Sequence, residues 1–124
     1  RGLVRDEHGQ KMSKAKGNGI DPLEMMDTYG TDALRWAICG LAGPGRDMKL
    51  GPTRVELSRS FVTKLRNAAN FCARYGIAFD RAFDPATAQT NLCRWLLSEL
   101  HATVADATAA LEAFRFDDYA DALY

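Results

Sequence analysis

Three lysines, a serine and two glycines fall close together in this chain, at Lys11, Ser13, Lys14, Lys16, Gly17 and Gly19. Residues of these types at this spacing can hold phosphate. Ammonium groups on flexible stems bring charge, a hydroxyl brings a hydrogen bond, and glycines let backbone N–H groups come close to oxygen. The Walker pattern G-x-x-x-x-G-K-[ST] is absent. A solvated lysine-rich turn has the same composition, and by residue type alone it is the more frequent explanation.

The neighbouring elements must position these groups. Before the loop, "GLVRDEHGQK" reads as two short extended pieces around a polar turn at Asp6 to Gly9. Leu3 and Val4 are too few apolar residues for a free-standing hairpin, so support from outside these residues is expected. After the loop, "DPLEMMDTYG" reads as a short helix with Asp21 as N-cap, Pro22 in the first position and Glu24 able to close a capping box. Its start puts a positive helix end near the lysines. Gly30 is expected to end it in the left-handed conformation, and Thr31 to cap a second helix with Ala33, Trp36, Ala37 and Gly40 on one stripe.

"GPGRDMKLGP", residues 43–52, reads as a long irregular connection and a module boundary. Beyond it, residues 53–75 repeat Val55, Phe61, Val62, Leu65, Ala68, Ala69, Cys72 and Tyr75 at helical spacing, and Gly76 ends the run. After a linker, residues 91–113 give a second long helix with Leu92, Trp95, Leu96, Leu100, Val104, Ala107, Leu111 and Phe114 on its apolar face. Asp117 or Asp118 starts a third. The expected fold class is mainly α: a short β-hairpin and loop, small helices, then part of an antiparallel helical bundle. The first residue is Arg1 and the last, Tyr124, falls inside a helical pattern, so a segment of a longer protein is expected.

Lysine plus arginine balances aspartate plus glutamate at 16 each. The charge is nevertheless sorted along the chain. Arg54, Arg59, Lys64, Arg66, Arg74 and Arg81 face two acidic residues in the middle, and seven acidic residues face Arg94 and Arg115 from Asp84 onward. A positive middle allows a local anionic partner. Cys39, Cys72 and Cys93 are widely spaced without a C-x-x-C, which argues against a disulfide framework or a metal site and for buried thiols in a reducing compartment. No apolar run reaches the roughly 18 residues of a membrane span, and no signal-peptide pattern opens the chain. His8 reads as a turn residue and His101 as a helix-surface residue. Trp36 and Trp95 read as core, and Asp117, Asp118 and Asp121 as caps and surface charge.

"KMSKA", then "KGN", then "IDPLEMMDTYGTDALRW" together resemble the KMSKS signature region of class I aminoacyl-tRNA synthetases. Downstream, "GRDMKL" and "RVELSRSFVTKLRNAANF" look most like the valine branch of that family, with the isoleucine and leucine branches similar. The resemblance implies a signature loop and stem-contact region over residues 1–50. Residues 51–124 would then be part of the helical anticodon-binding domain. It implies a cytoplasmic enzyme that activates valine with ATP, magnesium accompanying the nucleotide, and charges tRNA(Val). Nothing implies a tightly bound cofactor or a metal site here. By position, Lys11 and Lys14 are the catalytic lysines, with Lys14 the more important phosphate contact. Lys11, Met12, Ser13 and Lys14 form the ATP-binding set, with Met12 packing to set the loop. Arg59, Lys64, Arg66, Asn70 and Arg74 are the candidate tRNA contacts. Ala15 departs from the usual serine, and Gly19 from the usual β-branched residue. The resemblance also implies that this chain alone is inactive and self-associates through exposed helix faces. The alternatives are an isoleucine- or leucine-branch segment, a non-catalytic tRNA-binding helical module, and a structural interaction segment.

Overall fold

The helix expected behind the loop forms in the computed structural model, which describes residues 2–124. Helix α1 (Pro22–Tyr29) is capped by Asp21, whose carboxylate accepts a hydrogen bond from Leu23 N at 2.8 Å. The side chain of Glu24 does not close the box, so Asp21 caps alone. Gly30 ends α1 at φ 95° and ψ 146°. This differs from the expected left-handed cap: it is an extended, positive-φ conformation that is close to glycine-only. Gly30 also stands at the N-cap of α2 (Thr31–Cys39) and offers no side chain there. Thr31 therefore lies inside the helix rather than capping it, because Gly30, the single residue between the two helices, takes the cap position.

The extended pieces find their support within the chain. The turn closes through Gly9 N to Asp6 O at 2.9 Å and Asp6 N to Gln10 O at 3.0 Å. The hairpin itself is a single antiparallel bridge, Arg5 to Lys11. The ladder lies elsewhere. Strand β1 (Val4–Arg5) runs parallel to β2 (Met48–Lys49), with Val4 opposite Met48. Residues 43–52 are thus more than an irregular connection, since they carry the strand that steadies β1. Asp47 locks the pairing: its carboxylate accepts Leu3 N at 2.9 Å and pairs with the Arg5 guanidinium. The Leu3 N–H first, and Arg5 second, hold this carboxyl below the usual carboxylate range.

The core sits where α2 meets the start of α3 (Pro52–Arg74). Ala33, Leu34, Ala37, Leu50 and Val55 are buried together, and Met12, Ile20, Met25, Met26, Tyr29 and Leu41 pack against them. Two alanines one turn apart on α2 leave room for α3 to approach closely. Trp36 is half-buried beside this core, its ring centroid 4.9 Å from that of Phe61 on α3.

The two long helices differ from the sequence expectation. Helix α3 buries Val55, Ser58 and Phe61, but from Thr63 to Arg74 every residue is exposed, Leu65 at 51% and Phe71 at 59%. Helix α4 (Asn91–Glu112) packs on α5 (Phe116–Leu123) through Ala107, Ala110 and Ala120, while Trp95 is 58% exposed. Trp95 is therefore not core. Helices α3 and α4 do not pack along their lengths; α3 lies on α2, and α5 reaches back to α2 through Tyr119 and Trp36, centroids 6.2 Å apart. The periodicity of an amphipathic helix marks a face that can be buried, and among the described residues the second half of α3 and the first half of α4 leave theirs uncovered. Helix α5 starts one residue ahead of Asp117, which with Asp118 binds the Arg115 side chain. The thiols also differ from expectation: Cys39 is half-buried, and Cys72 and Cys93 are exposed.

Candidate functional site

The lysine loop hangs from β1 on one side and runs into α1 on the other. Lys11 is tied to Arg5 by the antiparallel bridge. Met12 is half-buried against the core of α2 and α3, so the loop is anchored by an apolar side chain between two outward-facing lysines. Ser13 then caps a single 3-10 turn, Lys14–Lys16, its hydroxyl accepting from Lys16 N at 3.2 Å. Gly17 closes the turn at φ 65° and ψ 14°, a left-handed position suited to glycine. Lys11, Lys14 and Lys16 are all exposed, and among the described residues none is in an ion pair. Ala15 lies exposed in the middle of the turn.

The carboxamide of Asn18 fastens this turn. Its oxygen accepts from Ser13 N at 2.9 Å, and its nitrogen donates to Asp6 Oδ2 at 2.8 Å and to Lys11 O at 3.3 Å. Asp6 also accepts from Gln10 N at 2.7 Å. These bonds, that from Asn18 above all, hold the pKa of the Asp6 carboxyl below its usual value. Sequence reading passed over Asn18 and Asp6 because neither charge pattern nor periodicity marks them. The one available signal was the asparagine that closes "KGN".

The basic side chains of α3 divide into groups. Arg59 and Arg66 line one open groove with the turn between α1 and α2, a space of about 530 Å³ that Thr28, Gly30 and Thr31 also border. Asp27 and Asp32 border it as well, so the groove is not uniformly positive. Lys64 points elsewhere, its ammonium 5.2 Å from the Phe61 ring centroid and 5.5 Å from that of Tyr124. Asn70 and Arg74 lie farther along, on the exposed half of the helix. His8 sits in the Asp6–Gly9 turn, and His101 Nδ1 lies 2.8 Å from Leu97 O on α4. No group of three or more His, Cys, Asp or Glu side chains gathers in metal-ligand fashion among the described residues, and no helix there is long and apolar enough to cross a membrane.

A signature loop on a two-strand support, followed by capped short helices and a long helix, is one arrangement with one sequence pattern. The family of class I tRNA synthetases (I, L, M and V) matches residues 1–51, the part of the chain that carries the lysine loop, α1 and α2. Over nearly its whole length the chain is similar to proteins named valine–tRNA ligase. It is 58% identical to that of Granulibacter bethesdensis over 99% of this chain, and 54% identical to that of Gluconobacter oxydans over 99%. It is 52% identical to that of Agrobacterium fabrum over 98%. The chain spans only 13–14% of the length of these relatives. The fold is shared with a LeuRS of Agrobacterium radiobacter, solved in a ternary complex with tRNA and LeuAMS. That match has a TM-score of 0.82 and 24% identity, and covers 98% of this chain and 16% of that one.

Proposed function

We propose that this chain is a segment of a valine–tRNA ligase whose lysine loop holds the phosphates of ATP while valine is activated. The observation that carries the reading is the loop itself. Lys14 opens a turn whose two ends are tied together, and its ammonium, like those of Lys11 and Lys16, is exposed without a carboxylate partner among the described residues. In the reaction, a carboxylate oxygen of valine bonds to the α-phosphorus of ATP. The bond from that phosphorus to the bridging oxygen breaks, and pyrophosphate leaves with the electron pair as valyl-adenylate forms. Negative charge grows on the leaving phosphate oxygens, where fixed cations lower the barrier. Lys14 and Lys11 supply those cations. The Ser13 hydroxyl and the loop amides add hydrogen bonds, and Met12 holds the segment to the core. Magnesium would accompany the nucleotide and help neutralise the charge on its phosphates. A terminal ribose hydroxyl of tRNA(Val) then takes the valyl group as an ester, and AMP leaves with the electron pair of the broken acyl–phosphate bond.

On the same reading, residues 1–50 are the signature loop and stem-contact region, and residues 51–124 are the first part of the helical anticodon-binding domain. Arg59, Lys64, Arg66, Asn70 and Arg74 meet tRNA phosphates, which positions the nucleic acid without reading its bases. The ligase works in the cytoplasm; the isolated chain lacks the amino-acid pocket and the other ATP-binding signature, which leaves it inactive, and it self-associates through the exposed faces of α3 and α4. A second reading, a non-catalytic tRNA-binding helical module, is favoured by the pairing of Arg59 with Arg66 along one groove. Valine-dependent ATP–pyrophosphate exchange by the full-length ligase tests the first. Lys14→Ala is expected to slow exchange by about 10²–10³-fold, with the KM for valine nearly unchanged. An unchanged exchange rate removes Lys14 from the mechanism.

A further inference from the structure

We infer that Asn18 is a positioning residue for the loop's lysines, fixing through its carboxamide where Lys11 and Lys14 stand when the loop meets phosphate. This rests on the phosphate-binding reading above. Asn18 touches neither ammonium group; it acts on the backbone that carries them.

Both ends of the carboxamide are used, in opposite senses. The oxygen accepts from Ser13 N, and the nitrogen donates to the Asp6 carboxylate and the Lys11 carbonyl. A flipped amide would set its oxygen against two acceptors, so the orientation is determined. An aspartate here would face the Asp6 carboxylate and the Lys11 carbonyl with charge of the wrong sign. An alanine would leave Ser13 N without its partner. The bond from Ser13 to Asn18 closes a short ring of backbone, and Lys14 lies inside it at the head of the 3-10 turn. The bond to Asp6 connects that ring to a fixed frame. Asp6 belongs to the turn after β1, β1 pairs with β2, and Asp47 pins both. Among the described residues, Asn18 is therefore the side chain through which the frame reaches Lys11 and Ser13 together. Asn18 and Asp6 are both half-buried, which limits competition from water for these bonds. Misplacing reacting groups by about 1 Å can cost about 10²-fold in rate, so a side chain that only holds backbone can still govern turnover.

The test uses the full-length ligase with Asn18→Ala, Asn18→Asp and the double variant Asp6→Asn/Asn18→Asp, beside Lys14→Ala. For Asn18→Ala the expected kcat of ATP–pyrophosphate exchange falls by roughly 10–10²-fold with the KM for valine unchanged. Tryptic cleavage after Lys14 and Lys16 should accelerate several-fold while the thermal midpoint stays near wild type. Asn18→Asp should lose more at neutral pH and recover toward wild type as the pH falls, when one of the two facing carboxyls takes a proton. In the double variant the amide and the carboxylate exchange places, which should remove that pH dependence and restore part of the rate. Wild-type kcat and wild-type cleavage in Asn18→Ala overturn the inference, as does an Asn18→Asp profile parallel to wild type. If Lys14→Ala slows exchange and Asn18→Ala does not, only the positioning role fails. If Lys14→Ala is silent while cleavage in Asn18→Ala accelerates, the fastening stands and the phosphate reading fails.

Discussion

Val55 and Leu65 lie on the same apolar stripe of α3, yet replacing each by alanine should have very different consequences. Val55 is fully buried beneath Ala33, Leu34 and Ala37, whereas Leu65 is 51% exposed. Val55→Ala removes two carbons from the core, worth about 1.6 kcal/mol in transfer free energy at ~0.8 kcal/mol per carbon. The helices on either side can collapse only partly, so a residual cavity adds up to about 1 kcal/mol. The expected loss is therefore about 2–2.5 kcal/mol. Leu65→Ala leaves no enclosed cavity and should stay within about 0.5 kcal/mol of wild type. Urea unfolding of this chain, followed by helical circular dichroism at concentrations where it is monomeric, reads both directly. With a slope of ~1–3 kcal/mol/M, Val55→Ala should lower the midpoint by roughly 1 M or more without changing the slope. Equal losses at the two positions would refute the reasoning. They would mean that the second half of α3 is packed as tightly as the first.

Two further outcomes follow from single groups. The Asp47 carboxyl is held below its usual value by Leu3 N–H and Arg5, so its stabilising effect is complete above about pH 3.8 and is lost as pH falls through the lowered folded value. Asp47→Asn should flatten that part of an acid-unfolding profile and weaken the β1–β2 pairing at neutral pH, which amide exchange at Leu3 and Met48 would report. Desolvation pushes the Cys39 thiol up, whereas Cys72 and Cys93 are exposed, so a disulfide reagent at mildly alkaline pH should modify two thiols quickly and Cys39 slowly. Three equal rates would contradict the described packing.

The local chemistry of the chain was readable in the sequence and the pairing between distant parts was not. Asp21, Pro22 and Gly30 mark the limits of α1 because capping and backbone freedom depend on neighbouring residues alone. Gly76, just past the end of α3, takes positive φ for the same reason. The parallel strand at Met48 and Lys49 is two residues long and carries no alternation, so nothing local announces it. The apolar stripes of α3 and α4 were legible as faces, but which face meets which helix depends on the whole fold. In the loop, the lysines announce themselves through charge. Asn18 and Asp6 act through geometry that spans twelve residues, and a single sequence does not display it.

The pairing of Val4 with Met48 has a consequence for how the loop comes into being during synthesis. Joining chain positions this far apart carries a closure cost of roughly 3 kcal/mol from loop entropy, which the helices between them must offset first. On a ribosome adding about 5–20 residues per second, β1 waits some seconds for β2 to be made. Met12 waits about as long, since Val55, the buried centre of the core it rests on, follows it at a similar distance along the chain. The lysine loop is therefore among the first parts of this chain to be translated, yet it takes its final shape only after the start of α3 has been made.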